Sequence, residues 1–280
     1  MSINRSFVPL AAISLATATL TAGCNKKAEA PENEQAAAEN GSDVFPDWGT
    51  DSAPAPQGKV DPAAVQAITD MSKYLSGLNS FKAQGQGSLD AVTADGQRIQ
   101  MDGSTNYTVS KTGGFAIDYR SDKKNRDFYY DGKQFTVYSP NLGYYGSVPA
   151  PGTIPQVLDM IYDKYGIRLP LEDLFRWDDA ENAKRKENFR AAFNLGTVTL
   201  DGVKTTHYAF REPDVDWEIW IQDGAQPLPR KLSIVDRTDP ARPAFTTRLN
   251  WTPNAPVNAS DFTFKPGPND QKIEMAQYKG

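Results

Sequence analysis

The spacing of apolar side chains changes period twice along this chain. After Asp61-Pro62, an N-cap followed by proline at the first helical position, Val65, Ile68, Met71, Leu75 and Leu78 recur every three or four residues. That spacing predicts an amphipathic helix running to about Asn79. From Phe81 the period falls to two. Ile99, Met101, Gly103, Thr105, Tyr107 and Val109 share one face of a half-buried strand, and similar runs occur at 115–119, 133–138, 196–200, 203–211, 215–222, 231–235 and 245–251. Asp95-Gly96, Gly113-Gly114, Asp131-Gly132 and Asp201-Gly202 supply tight turns between runs, so the pattern predicts an antiparallel meander.

A helical insertion interrupts the strands. Thr153 and Gln156 have capping-box spacing, and Ile154, Val157, Leu158, Ile161, Tyr162 and Tyr165 form one apolar stripe that Gly166 ends. A second short helix is predicted from Pro170 through Leu171, Leu174, Phe175 and Trp177. Two readings of the 153–177 insertion stand side by side: a fixed plug in the core, or a lid over a hydrophobic cavity.

Ahead of the folded region, residues 1–23 carry Arg5, an apolar run at 7–20 and the small pair Ala22-Gly23 directly before Cys24. This is signal-peptide architecture, and the run is shorter than the ~20 residues a bilayer span needs. The Ala-Gly-Cys ending resembles the bacterial lipobox, with one departure: Thr21 stands where an aliphatic residue is usual, and Leu20 lies one place early. The resemblance implies a diacylglyceryl anchor on Cys24, and Asn25, in place of the aspartate that retains lipoproteins at the inner membrane, implies the outer one. Residues 24–59 are rich in Ala, Glu, Pro, Asn and Gly and predict a disordered tether, with Phe45 and Trp48 as its aromatic exceptions. A flexible coil of that length typically reaches roughly 30–35 Å. The folded domain is then expected at 60–266, and 267–280 as a C-terminal tail.

Composition narrows the function classes. The 280 residues carry a net charge of −5 with no dense Lys/Arg cluster, which argues against nucleic-acid binding. One cysteine and one histidine rule out disulfides within the chain and zinc sites of the Cys/His types, leaving only an all-oxygen site such as calcium. Glu172-Asp173, Asp178-Asp179 and Asp214 with Asp216 could in principle form an acid pair, although such clusters are more often solvated faces or helix caps. His207 sits mid-strand without a nucleophile-elbow motif and reads as structural. No catalytic residue, cofactor or metal is therefore assigned.

The aromatic residues say more. Phe128, Tyr129, Tyr130, Phe135, Tyr138, Tyr144 and Tyr145 crowd one segment, and Trp217 and Trp220 fall on opposite faces of one strand. A sheet aromatic on both faces is either covered on both or presents one to a ligand or partner.

Five stretches, DFYYDGK at 127–133, YSPNLGYY at 138–145, VPAP at 148–151, YGIRLPLEDL at 165–174 and VDWEIWI at 215–221, resemble a family of predicted periplasmic proteins, domain of unknown function 2092, over about 60–266. More remotely, the order of helix, meander, helical insertion and second meander is similar to the lipoprotein carrier and receptor of the Lol pathway. That similarity implies a mainly β (α+β) fold, an incomplete antiparallel barrel with an N-terminal helix and an inserted helical lid, and it favours the lid. It transfers no site; Arg168, Arg176 and Arg211 are candidates only by residue type.

The expectation is a monomeric, non-enzymatic, lipid-anchored binder of an acyl chain, lipid or lipoprotein, tethered by Cys24 on the periplasmic side of the envelope. The ligand-contacting residues nominated are Ile154, Leu158, Ile161, Tyr165, Leu174, Phe175, Tyr130, Phe135 and Trp217. The alternative is an envelope interaction or stress-sensing module without a ligand, and third a hydrolase using surface carboxylates.

Overall fold

Period-two alternation builds one twelve-stranded sheet in the computed structural model, which describes residues 58–150, 152–172 and 184–278. Helix α1 (Pro62–Gly77) precedes β1 (Ser80–Val92), β2 (Arg98–Ser110), β3 (Gly114–Ser121), β4 (Asn125–Tyr130), β5 (Gln134–Ser139) and β6 (Tyr144–Pro149). Helix α2 (Ile154–Tyr165) separates these from β7 (Ala191–Leu200), β8 (Val203–Arg211), β9 (Val215–Gln222), β10 (Pro229–Asp236) and β11 (Ala244–Pro253), and β12 (Gln271–Lys272) comes last. The signal region, Cys24, the tether with Phe45 and Trp48, and Leu174, Phe175, Arg176 and Trp177 lie outside the described residues.

Two antiparallel meanders lie edge to edge, joined where β1 pairs antiparallel with β11 from Phe81↔Pro253 to Leu89↔Phe245. The strand order is β12-β6-β5-β4-β3-β2-β1-β11-β10-β9-β8-β7, and its ends do not pair, so the sheet stays open. Asp201 and Gly202 make the two-residue turn between β7 and β8 with φ of 50° and 77°, values that a type I′ hairpin requires and that Asp and Gly tolerate.

The sheet buries one face around both helices. Ala64, Ile68 and Met71 of α1 and Val157 and Ile161 of α2 are fully buried, in one core with Phe115 and Phe135 from the first meander and Phe210, Ile219 and Leu249 from the second. Across β1 to β6 a single row of cross-strand partners carries this face: Phe81, Val109, Phe115, Tyr130, Phe135 and Val148. Such directly opposed pairs are the unit of sheet stability.

The structure departs from the sequence reading in three places. Strands β4 and β6 were hidden by aromatic residues on both faces, which erase the apolar/polar alternation. Pro170 and Leu171 form a turn, since Leu171 has φ of 62°, so no helix starts at Pro170; Glu172 is in 3-10 geometry, and the rest of the expected second helix lies outside the described residues. The third correction concerns residues 267–278, which are no tail. β12 adds in parallel to β6, the Ile273 amide donates to the Tyr145 carbonyl over 2.8 Å, and the Tyr278 amide donates to the Lys164 carbonyl over 2.8 Å. The cause is aromatic: Phe264 packs at 5.5 Å from Tyr129 and at 5.0 Å from both Tyr138 and Tyr145, on the outer face of β4 to β6. That end of the sheet is therefore covered on both sides.

Candidate ligand cavity

The last turn of α1, the first turn of α2 and strands β1 to β3 enclose a cavity of about 430 Å³, within the ~300–1,000 Å³ range of small-molecule sites. Helix α1 contributes Leu75, and Leu78 follows at its C-cap. The sheet supplies Phe81, Tyr107, Val109, Phe115 and Ile117, all on its inner face. From α2 come Ile154, Pro155 and Leu158, while Leu169 and Pro170 close the inner end.

Local signals in the sequence seat α2. The Gln156 side-chain oxygen accepts from the Thr153 amide at 2.8 Å, as the capping spacing predicts. Tyr130, buried in the aromatic row, donates its hydroxyl to the Gly152 carbonyl at 2.5 Å and so fixes the point where the helix begins. At the far end Gly166 takes φ of 64° and its amide reaches the Tyr162 carbonyl at 2.9 Å. The Arg168 guanidinium lies 4.2 Å over the Tyr162 ring. One edge of the helix is thus sunk in the core through Val157 and Ile161, while Ile154 and Leu158 face the cavity.

The polar side chains of the lining are Ser76, Asn79, Ser80, Lys111 and Glu172, and one carboxylate oxygen of Glu172 is buried. The exposed Lys111 ammonium donates to the Ser76 carbonyl at 3.1 Å, at the end of α1. Inside, burial pushes the Tyr107 phenol well above its ordinary range, so it stays a neutral donor, and it reaches the Pro170 carbonyl at 3.4 Å. An apolar interior with one cation at its rim can hold the chain of an amphiphile and meet an anionic head at the surface.

Of the nominated residues, Ile154 and Leu158 line this cavity. The others do not. Ile161, Tyr130 and Phe135 are spent in the core, at no more than 2% exposure. Tyr165 is half-buried on the last turn of α2, away from the cavity lining. Trp217 belongs to a different cluster: its ring stacks 4.1 Å from Phe210, and its Nε1 donates to Glu212 at 2.8 Å. Glu212 in turn accepts from Arg185 Nε and Nη2 at 2.9 and 2.7 Å. Leu75, Phe81, Tyr107, Val109, Phe115 and Leu169 are among the lining residues absent from the nominations. Several fall on the apolar faces that the periodicity marks, but periodicity does not say which neighbours leave a gap between them.

Of the polar candidates, His207, Arg211 and Asp216 are occupied structurally, while Asp173, Arg176, Asp178 and Asp179 lie outside the described residues. His207 bonds Glu218 at 2.8 Å and stacks at 3.9 Å on Trp220, whose ring also lies 4.1 Å from the Lys231 ammonium. Burial pushes Asp216 up, but the hydrogen bonds and charges of Arg211, Arg237 and Arg242 outweigh it and hold the carboxylate below its usual range. Among the described residues no three His, Cys, Asp or Glu side chains converge as a metal site, and no helix is long and apolar enough to cross a membrane.

Comparison with curated proteins found no match. Among solved structures the chain is similar to the lipoprotein LppX of Mycobacterium tuberculosis, at 15% identity and a TM-score of 0.44, covering 71% of this chain and 99% of that one. It is similar to LprF of Mycobacterium bovis at 14% identity and 0.42, covering 75% and 100%. A LolA superfamily protein of Nitrosomonas europaea matches at 10% identity and 0.33, covering 72% and 98%. The sequence itself gives the assignment: residues 64–276 match the DUF2092 family, described as predicted periplasmic proteins, and the chain belongs to that family.

Proposed function

We propose that this protein is a non-enzymatic binder of an amphiphile, held at the periplasmic face of the outer membrane by a lipid on Cys24. The acyl chain lies in the cavity between α1, α2 and β1 to β3, and an anionic head meets Lys111 at the rim. The observation that carries the reading is the cavity itself: about 430 Å³ lined chiefly by Leu, Ile, Val, Phe and Pro side chains, with the exposed Lys111 among its polar residues. Burying an acyl chain there contributes about 25 cal/mol per Å² of apolar surface removed from water.

Native mass spectrometry of gently purified full-length protein, followed by titration with palmitic acid, tests it. A one-to-one adduct, or saturable palmitic acid binding that Leu158→Trp abolishes, is the expected result. Protein that is always adduct-free and does not bind palmitic acid overturns the reading. Retention of a Cys24→Ser variant in the membrane fraction would overturn the anchor separately.

A further inference from the structure

The cavity has a wall at its inner end, and the wall has space behind it. A second cavity of about 30 Å³ shares Tyr107 and Pro170 with the first. Beyond that wall the same inner face of the sheet continues past Thr105 and Thr247 to Leu89, Met101 and Phe245, and Leu171 lines the space and packs against the core. The wall is one turn deep: the Tyr107 hydroxyl holds the Pro170 carbonyl, and Leu171 follows directly.

Leu171 is held there at a cost. Of the four non-glycine residues with positive φ among the described residues, Asp201 and Asn254 have side chains that tolerate the left-handed region, whereas Arg242, at 47°, and Leu171, at 62°, do not. Its side chain packs against the hydrophobic core, and this burial keeps the backbone in place. Swinging Leu171 outward would relax that backbone and join the two cavities along one face of the sheet, past Thr105 and Thr247 to Leu89, Met101 and Phe245.

Resting on the amphiphile reading above, we propose that Leu171 sets the length of acyl chain the protein accepts. The leucine is a built-in stand-in for the distal methylenes of a longer chain. Chains that fit in front of Tyr107 and Pro170 bind with the turn in place; longer ones must expel Leu171 from the space it lines.

The test compares lauric, palmitic, stearic and arachidic acids on full-length wild type, Leu171→Gly and Leu171→Ala. Shortening the side chain at 171 should leave lauric acid binding unchanged and strengthen binding of the longer acids, by about tenfold for each two methylenes newly accommodated. Adding Met101→Trp, which refills the space behind the wall, should cancel the gain. Thermal melts establish that each variant is folded, and Leu171→Ala decides if Leu171→Gly is not. Wild type that binds these acids with a length profile unaltered in the folded Leu171 variants overturns this inference and leaves the amphiphile reading standing. If neither wild type nor variants bind any of the acids, both fall.

Discussion

The Tyr138 hydroxyl donates to the Asp270 carboxylate over 2.9 Å, joining β5 to a segment 132 residues further on. With Phe264 seated among Tyr129, Tyr138 and Tyr145, and β12 paired to β6, this bond makes the C-terminal stretch a structural part of the sheet. Phe264→Ala should cost about 2 kcal/mol, since the ring is half-buried and makes three aromatic contacts. Tyr138→Phe should cost about 1 kcal/mol, the net worth of one hydrogen bond. Urea denaturation measures both; a Phe264→Ala midpoint equal to wild type would show that the segment merely rests on the domain.

Glu212 is a buried carboxylate that ties three elements together, through Arg185 before β7, Trp217 on β9 and its own place between β8 and β9. Removing it takes from the largely covered Arg185 guanidinium the carboxylate that meets both Nε and Nη2. Glu212→Ala should therefore destabilise the domain by about 3–5 kcal/mol, far more than loss of an exposed pair such as Arg248 with Asp201 at roughly 0–1 kcal/mol. Equal denaturation midpoints for the two variants would refute the ranking.

Asp118 and Asp127 stand directly opposite each other on β3 and β4, and Arg120 bonds to Asp127. Burial first, and then the Asp127 charge, raise the Asp118 carboxyl, against the pull of Arg120. A carboxyl whose folded pKa exceeds its unfolded value binds its proton more tightly in the folded state. Its favourable contribution is complete below about pH 3.9 and lost as pH rises through the folded value. Ionised Asp118 thus weighs on the fold at neutral pH. Asp118→Asn should raise stability there, by on the order of 0.5 kcal/mol, with the gain shrinking toward about pH 3. Melting temperatures across that window decide; a variant less stable at neutral pH would contradict the sign.

Lys111 is the exposed cation of the cavity lining, and its ammonium donates to the Ser76 carbonyl. Lys111→Met should weaken palmitic acid binding by about two- to fivefold, the scale of an exposed ion pair, and more at low salt than at high. Binding of the uncharged methyl ester should not change. Equal loss for acid and ester would mean that the side chain contributes only its apolar stem.

Much of the architecture was legible in the residues. The i, i+3, i+4 stripe on Ile68, Met71 and Leu75 gave α1; Gln156 and Gly166 marked where α2 starts and stops; Asp201-Gly202 marked a two-residue hairpin. These are local matters, settled by backbone sterics and by hydrogen bonds between residues close in sequence. β4 and β6 were obscure for a physical reason as well: Tyr129 and Tyr138 point outward and still need cover, so both faces look like core until Phe264 arrives from the other end of the chain.

The sequence by itself determined the class of structure, a helix and two antiparallel meanders with a helical insertion, because side-chain period and turn chemistry are fixed within a few residues of each other. Only the tertiary structure decided that β1 pairs with β11, that residues 267–278 complete the sheet, and that Ile154 and Leu158, of the nominated apolar residues that are described, face an opening. Burial makes apolar side chains equivalent to a first approximation; whether one such as Ile161 is consumed in packing or one such as Leu158 is left beside a space depends on how distant elements meet, and close packing over long sequence separations sets that geometry.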